Sequence, residues 1–478
     1  MNPDLERGPL DRSSREINSL AEFDTNVDPT ATDTSVGRQE RQGSQSSTVG
    51  SGMSGISTVE GKEVDMITPS NHPPSLWRRF TVELDRIILN LGPSYYSLTM
   101  GTGIVSILLY GLPWNGLWLR YIAEVIFVFN VLLFVLITLG SVVRYVKYKG
   151  LFGAVLKHHT SGMFWGCMPM GLVTIINMIA KVCVPAWGWR AAQLALGLWW
   201  IDVIFSILIN FGMLFYIFAR HTHTIETVSA PWLLPIVTSV VVAASGGVVG
   251  TALLPFSPSL ARSVVLISYV VWGTGVPVAL MLIVLWIYRT ALIGLPAPAA
   301  LPSVFLPLGP CGQGAFGIAL LGKTVRQLSY DYSTPFALLE TPESSLRLAD
   351  AVYAGGLVTA LILWGLGLVW YTIAHAIFVD HFFRCNRDFF GKTSFTIGFT
   401  AITFPIGVWA TATTELAQEL DSMAFKVIGT VVSLQVTFNW VYVMVFTIWK
   451  AWEGTIWVDP ALSGFEKGRP PLRFGGKL

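Results

Sequence analysis

Ten apolar stretches dominate this chain, each about 20 residues or longer and so able to cross a bilayer as a helix. They cover approximately 93–112, 119–146, 162–183, 188–219, 231–254, 261–293, 300–322, 346–379, 394–415 and 422–450. With 53% apolar and only 13% charged residues, the chain reads as an all-α integral membrane protein. An even number of spans puts both flanking segments on one side. By the positive-inside rule that side is cytoplasmic, since about 17 Lys and Arg flank the spans there against about 8 opposite, many of them in RYVKYKG and FFRCNRDFFGK.

The first 75 residues are rich in Ser, Thr, Gly, Asp and Arg and contain no apolar run that could bury a core. They are expected to form a disordered cytoplasmic tail (1–75). The ten-helix transport domain (76–455) and a short cytoplasmic C-terminal tail (456–478) follow. Asp4, Glu6 and Arg7 lead into no apolar h-region, so the start does not read as a signal peptide. Cys167, Cys183, Cys311 and Cys385 lack the paired spacing of a zinc site or a disulfide framework, and no metal or other cofactor is expected.

The spans alternate in character. Even ones are long and cleanly apolar, as in VIFVFNVLLFVLITLG, whereas each odd one carries a small-residue or proline motif near its middle: MGTG (100–103), CMPMG (167–171), ASGG (244–247), GPCGQG (309–314) and FPIG (404–407). Such recurrence fits five diverged helical hairpins. Irregular backbone at membrane depth is tolerated only where it is buried in protein or lines a wet cavity. The odd spans are therefore expected to be broken helices forming an inner ring around a central pore, with the even spans outside facing lipid. The same glycines would also serve close helix packing.

Hydroxyls fit either reading. Thr396, Thr400, Thr403, Gly407, Thr411 and Thr414 share one helical face of the ninth span, and Tyr95, Thr99, Thr102 and Ser106 one face of the first. They could line a pore or bond between helices of a dry bundle. No Lys, Arg, Asp or Glu lies near the middle of an odd span; Lys181, Lys323 and Glu415 fall toward the ends. A path built this way offers the hydroxyls of Thr99, Thr102, Ser245, Thr400, Thr403 and Thr411, the amides of Asn177 and Gln313, and helix dipoles. Such groups hold an anion weakly enough to release it.

Asp202, in LWWIDVIF of the fourth span, is the conspicuous intramembrane carboxyl. It either couples transport to protons or is a structural group bonded across to an inner helix. Glu124 and Asp350 lie nearer span ends. The pairs His158/His159 and His221/His223 have a spacing that could suit a metal, but no acidic or cysteine partners accompany them, so they read as loop residues. His375 reads as an interfacial histidine.

FWGCMPMGLVTIIN (164–177), LWWIDV (198–203), LPLGPCGQGAFGIALL (306–321) and TFPIGVW (403–409) together resemble the tellurite-resistance/dicarboxylate transporter family. That family includes plant slow-type anion channels, fungal malate transporters and, most similar here, fungal sulfite efflux pumps. The resemblance spans about residues 80–455. It implies a slow-type anion channel-like fold of five hairpins around a pore, a homotrimer with one pore per subunit, and a gating phenylalanine before a proline on the ninth helix. Phe404 and Pro405 stand at that position, where a proline kink would be needed to turn the ring into the pore. It further implies export of sulfite across the plasma membrane, giving sulfite tolerance. The sulfite anion and the lipid bilayer are then the partners, with no nucleic acid. Malate or another C4-dicarboxylate is the alternative, though such a substrate would be expected to need a pairing cation near mid-span. An intramembrane enzyme is disfavoured, because there is no H-E-x-x-H or G-x-S-x-G and the buried acids lie on different outer spans.

Overall fold

The computed structural model describes residues 76–337, 339, 341–384 and 395–465. The N-terminal tail, Cys385 with most of the basic segment around it, and residues 466–478 lie outside them. Among the described residues every regular element is helical.

Five helices form an inner set: α2 (Tyr96–Tyr110), α5 (Cys167–Met178), α8 (Leu233–Leu253), α10 (Leu308–Tyr330) and α12 (Phe404–Glu419). Five longer ones form an outer set: α3 (Leu117–Lys147), α7 (Trp189–Ala219), α9 (Pro258–Ile293), α11 (Pro342–Arg384) and α13 (Met423–Trp452). The remaining helices are short or peripheral: α1 (Leu76–Asn90), α4 (Leu151–Lys157), α6 (Val184–Trp187) and α14 (Leu462–Phe465).

Inner helices pack in the cyclic order α2, α5, α8, α10, α12 and back to α2, and each also packs against the outer helix that follows it in the chain. Five hairpins thus close a ring. The most apolar stretches of the third, fifth, seventh and ninth spans are 83%, 100%, 100% and 78% buried, whereas those of the outer helices are 22–33% buried. Apolar side chains left outward on so many helices require a non-aqueous surround, so the protein is a multi-pass membrane protein. Nine spans among the described residues reach membrane length by themselves. The first span, α2 with its preceding turn, is shorter, and all of α2 but Tyr110 is buried.

Of the expected breaks, those at CMPMG and FPIG coincide with junctions where 3-10 turns give way to α-helix at Cys167 and Phe404, whereas the others do not interrupt their helices. α2, α8 and α10 run unbroken through MGTG, ASGG and GPCGQG, so in these spans close packing is the right reading. Irregularity falls instead at one end of every inner span, which begins with 3-10 turns: 93–95, 161–166, 230–232, 298–305 and 397–402. Prolines in the first positions of three of these segments, Pro93, Pro231 and Pro298, cost no helical hydrogen bond there. All five irregular ends lie on the side from which the odd spans start, here the entry side. The opposite side is the far side.

The motif in α10 shows what its glycines do. A Cβ at Gly312 would lie 2.6 Å from backbone atoms of Trp409 on α12, and one at Gly317 would lie 2.9 Å from the Ala244 methyl on α8. Only a residue without a side chain lets α10 approach both ring neighbours this closely.

Residues after α13 fold back onto the entry side. Arg144, buried near the end of α3, forms an ion pair with Asp459, donates to the carbonyls of Leu89 and Leu91 at 2.9 and 3.0 Å, and contacts the Tyr145 hydroxyl. Asp459 also accepts from Ser161 Oγ at 3.2 Å and from the amide of Ala461 at 3.0 Å. The pair is buried but well satisfied, the condition under which a buried ion pair is tolerated. Ile456, Ala461 and Leu462 are buried beside it, so the start of the region read as a C-terminal tail is packed structure.

Candidate functional site: a cavity pair divided at Phe404

Two cavities lie along the axis of the ring. On the entry side a cavity of about 700 Å³ is walled by the 3-10 segments of all five inner spans and by residues 455–460, including Ser97, Phe164, Gly309 and Thr400. Deeper in, a narrow cavity of about 10 Å³ is lined by Ile104, Thr174, Asn177, Lys181, Val241, Gln313, Phe316, Val408 and Thr411, among others. Its size is that of a single water. Phe404 lines both cavities and is 4% exposed. It is the residue common to the two linings.

The position of that ring comes from how α12 begins. Thr403, with φ −105 and ψ −70, links the 397–402 turns to the α-helix, and the first α-helical bond runs from Gly407 N to Thr403 O at 2.9 Å. Pro405 lies in the first turn, where its missing N–H is not needed. Pro405 therefore starts a helix instead of kinking one, and the expected mid-helix kink is replaced by a 3-10 to α junction.

The other residues that the sequence singled out divide between the cavities and the helix interfaces. Asn177, Gln313 and Thr411 line the narrow cavity, while Thr400 and Pro405 line the wide one. Thr400 Oγ1 lies 2.8 Å from Ser97 Oγ, which fastens the 397–402 turns to α2. Thr99, Thr102, Ser245 and Thr403 line neither cavity. Thr99 donates to Tyr96 O at 2.6 Å and sits against Gly171 of α5. Thr102 donates to Leu98 O and accepts from Trp440 Nε1 at 3.1 Å, which ties α2 to α13. Thr403 donates to Thr400 O at 2.6 Å and packs on Gly101. Thr102 thus bonds between helices, as the dry-bundle reading expects, whereas Thr99 and Thr403 bond to local carbonyls and meet the neighbouring helix through packing.

Ser245 acts one layer behind the wall. Its hydroxyl donates to Asn177 Oδ1 at 2.7 Å, which fixes the amide with its Nδ2 end free of a protein partner among the described residues. The Gln313 amide likewise makes no protein hydrogen bond there. Thr174 and Thr411, by contrast, donate to backbone carbonyls of their own helices.

Lys181 was placed toward a span end by sequence, yet it lines the narrow cavity. Thr174, Asn177 and Lys181 follow i, i+3, i+7 spacing, so the shared face was legible in the sequence. A π-turn at Ile179–Cys183, which only the structure reveals, then re-aims the last turn of the span. Lys323 and Glu415 lie nearby but off the wall. Lys323 Nζ contacts Glu415 at 3.2 Å and Glu419 at 2.7 Å, and Tyr353 donates to Glu419 at 2.7 Å.

Asp202 is fully buried on α7 and lines neither cavity. Its stripe faces α8, where Trp199 Nε1 donates to Val242 O at 3.0 Å and Asn210 Nδ2 to Ser239 Oγ at 2.8 Å. Among the described residues neither carboxyl oxygen of Asp202 makes a hydrogen bond, and the Ser206 hydroxyl faces it one turn on. The expected bond across to an inner helix is absent.

The histidines sit around the entry side. His158 Nδ1 accepts the Ser161 amide at 3.1 Å, and its ring stacks on His159 at 4.9 Å. Burial, aided by His159, holds the His158 pKa below its usual value. No group of three metal-ligating side chains is assembled among the described residues. His375 does not snorkel: its Nδ1 lies 2.7 Å from Tyr371 O and its Nε2 2.6 Å from the Gln435 amide.

Residues 90–448 match the family described as voltage-dependent anion channel, SLAC1. The sulfite efflux pump SSU1 of Arthroderma otae is 42% identical over 76% of this chain and 92% of its own length. The sulfite efflux pump SSU1 of Saccharomyces cerevisiae is 26% identical over 71% of this chain and 82% of its own. The malic acid transport protein of Schizosaccharomyces pombe is 26% identical over 73% and 76%.

Proposed function

We propose, from the premise that this chain belongs to the SLAC1 voltage-dependent anion channel family, that it exports sulfite across the plasma membrane by passive flow along the ring axis. Its entry side faces the cytoplasm and Phe404 gates the path. The observation that supports this reading is a phenylalanine common to a wide entry cavity and a narrow one lined by the donors of Asn177, Gln313 and Lys181. Sulfite gathers in the wide cavity, passes when the Phe404 ring swings aside, and meets the amides of Asn177 and Gln313 beyond it. Donors without a rigid cationic cage bind weakly enough for release.

An inside-negative membrane potential drives anion exit by about 2.3 kcal/mol per charge per 100 mV, so no coupled ion is required. Asp202, which lines neither cavity, is assigned no transport role. The 42% identity to a sulfite efflux pump, against 26% to a malic acid transport protein, favours sulfite over a dicarboxylate. A narrow cavity with room for about one water also suits the smaller anion. Assembly as a homotrimer, one path per subunit, belongs to the same proposal, and the mass of the detergent-solubilised protein tests it.

The test of substrate is efflux from proteoliposomes loaded with sulfite or malate. Faster sulfite release is the expected result. Malate release with sulfite retained would establish the dicarboxylate reading instead.

A further inference from the structure

We propose that Lys181, together with Asn177 and Gln313, forms an anion-binding subsite beyond Phe404 that captures a small oxyanion on its way to the far side. This rests on the anion path proposed above and adds a residue and a place to it.

The argument starts from which donors are left over. Three donors around the narrow cavity have no protein partner among the described residues and are open to the cavity: Asn177 Nδ2, the Gln313 amide N–H and the part-buried Lys181 Nζ. Ser245 holds the first of these in its donor orientation by occupying Asn177 Oδ1. On the same wall Thr174 Oγ1 already accepts from Asn130 Nδ2 at 3.0 Å and Asn177 Oδ1 from Ser245, which leaves Gln313 Oε1 as the open acceptor beside these donors. A site with donors to spare fits a ligand that only accepts, and a sulfur or nitrogen oxyanion is such a ligand.

Charge placement supports this. Two lysines lie at this end of the path, but only Lys323 is bonded to carboxylates, at 3.2 Å to Glu415 and 2.7 Å to Glu419. Glu415 and Lys323 are the charges that act on Lys181, with opposite signs, and neither is bonded to it. The Lys181 ammonium is thus held between a distant carboxylate and the cavity, with a flexible stem that reaches either way. An arriving anion draws it to the cavity, and Glu415 draws it back once the anion leaves. That competition keeps the subsite weak, as conduction requires.

The test is current through the full-length reconstituted protein at rising sodium sulfite concentration. Lys181→Gln is expected to raise the half-saturating concentration about tenfold, the loss of one charged hydrogen bond, with Lys181→Arg close to wild type. Glu415→Gln, which removes the competitor, is expected to lower it. Repeating the titration at 1 M inert salt separates contact from diffuse attraction, because screening then acts within about 3 Å. A shift that persists supports the subsite; one that vanishes overturns it, as does an unchanged Lys181→Gln. If Lys181→Gln fails to assemble, Ser245→Ala takes its place: a raised half-saturating concentration supports the subsite, and an unchanged one in Ser245→Ala, or in Glu415→Gln, overturns it. If wild-type protein carries malate or nitrate but not sulfite, the substrate proposal has failed, and the same titration with the carried anion still tests Lys181.

Discussion

At the scale of single residues the account turns on side chains that have a position but no strong bond. Phe404 is held by the start of α12 and by no polar contact, so truncating it opens the wall between the two cavities while leaving the junction at Thr403 and Pro405 intact. Phe404→Ala is expected to raise sulfite conductance by about tenfold or more, as removal of a hydrophobic constriction does; single-channel or macroscopic current at matched protein density checks it. Asp202→Asn should leave efflux unchanged, since no transported anion passes near it, and should not lower thermal stability, since a buried carboxyl without a partner is a cost to the fold. Efflux lost in a well-assembled Asp202→Asn protein would give that carboxyl a transport role. His158 gives a pH dependence of known sign. Its folded pKa lies below the usual 6.5 because burial, then His159, disfavour the charged ring, whereas Asp459 works the other way and His221 adds to the lowering. Its contribution to stability is therefore complete above about pH 6.5 and is lost as pH falls through the lowered value. Thermal unfolding followed from pH 7.5 down to about 5.5 should show a falling midpoint, and His158→Asn should flatten that fall.

At the scale of elements, what the sequence disclosed and what it hid have different physical origins. The alternation of inner and outer spans was legible because lipid-facing helices carry apolar side chains all round, while ring helices carry Gly, Thr and Ser where backbones approach. What those small residues do was not legible. Gly312 and Gly317 could equally have marked a break or a close contact, and the distinction depends on Trp409 and Ala244, which are distant in sequence. The threonines of α2 and of the 397–403 segment have the spacing of a pore stripe, yet Thr99 and Thr403 turn their hydroxyls to local carbonyls. A 3-10 turn has three residues per turn, and spacing computed for an α-helix misplaces every side chain in it. The buried Arg144–Asp459 pair could not be read at all, being a contact between α3 and the segment after α13. Arg144→Met strands the Asp459 carboxylate and is expected to cost about 3–5 kcal/mol, seen as a large drop in unfolding midpoint. Because Ser161 and residues 455–460 wall the entry cavity, the same variant should also alter conductance.

At the scale of the whole molecule, five hairpins closed into a ring solve one problem twice. Each inner helix is shielded from lipid by outer helices and so can carry polar groups; each outer helix needs only apolar length. The axis that results carries donor amides and a lysine at the narrow cavity, with Phe404 common to both linings; the acids of the described lining, Glu226 and Asp459, stand on the wall of the wide cavity, and Asp459 is ion-paired with Arg144. The central claim is therefore that an anion moves passively and the membrane potential does the work. The measurement that tests it most directly is the reversal potential of sulfite current through reconstituted protein, taken across a pH series with fixed sulfite activities on both sides. A reversal that stays at the sulfite equilibrium potential whatever the proton gradient is the result expected of a passive path gated by Phe404. A reversal that moves with the proton gradient would contradict it and make transport coupled.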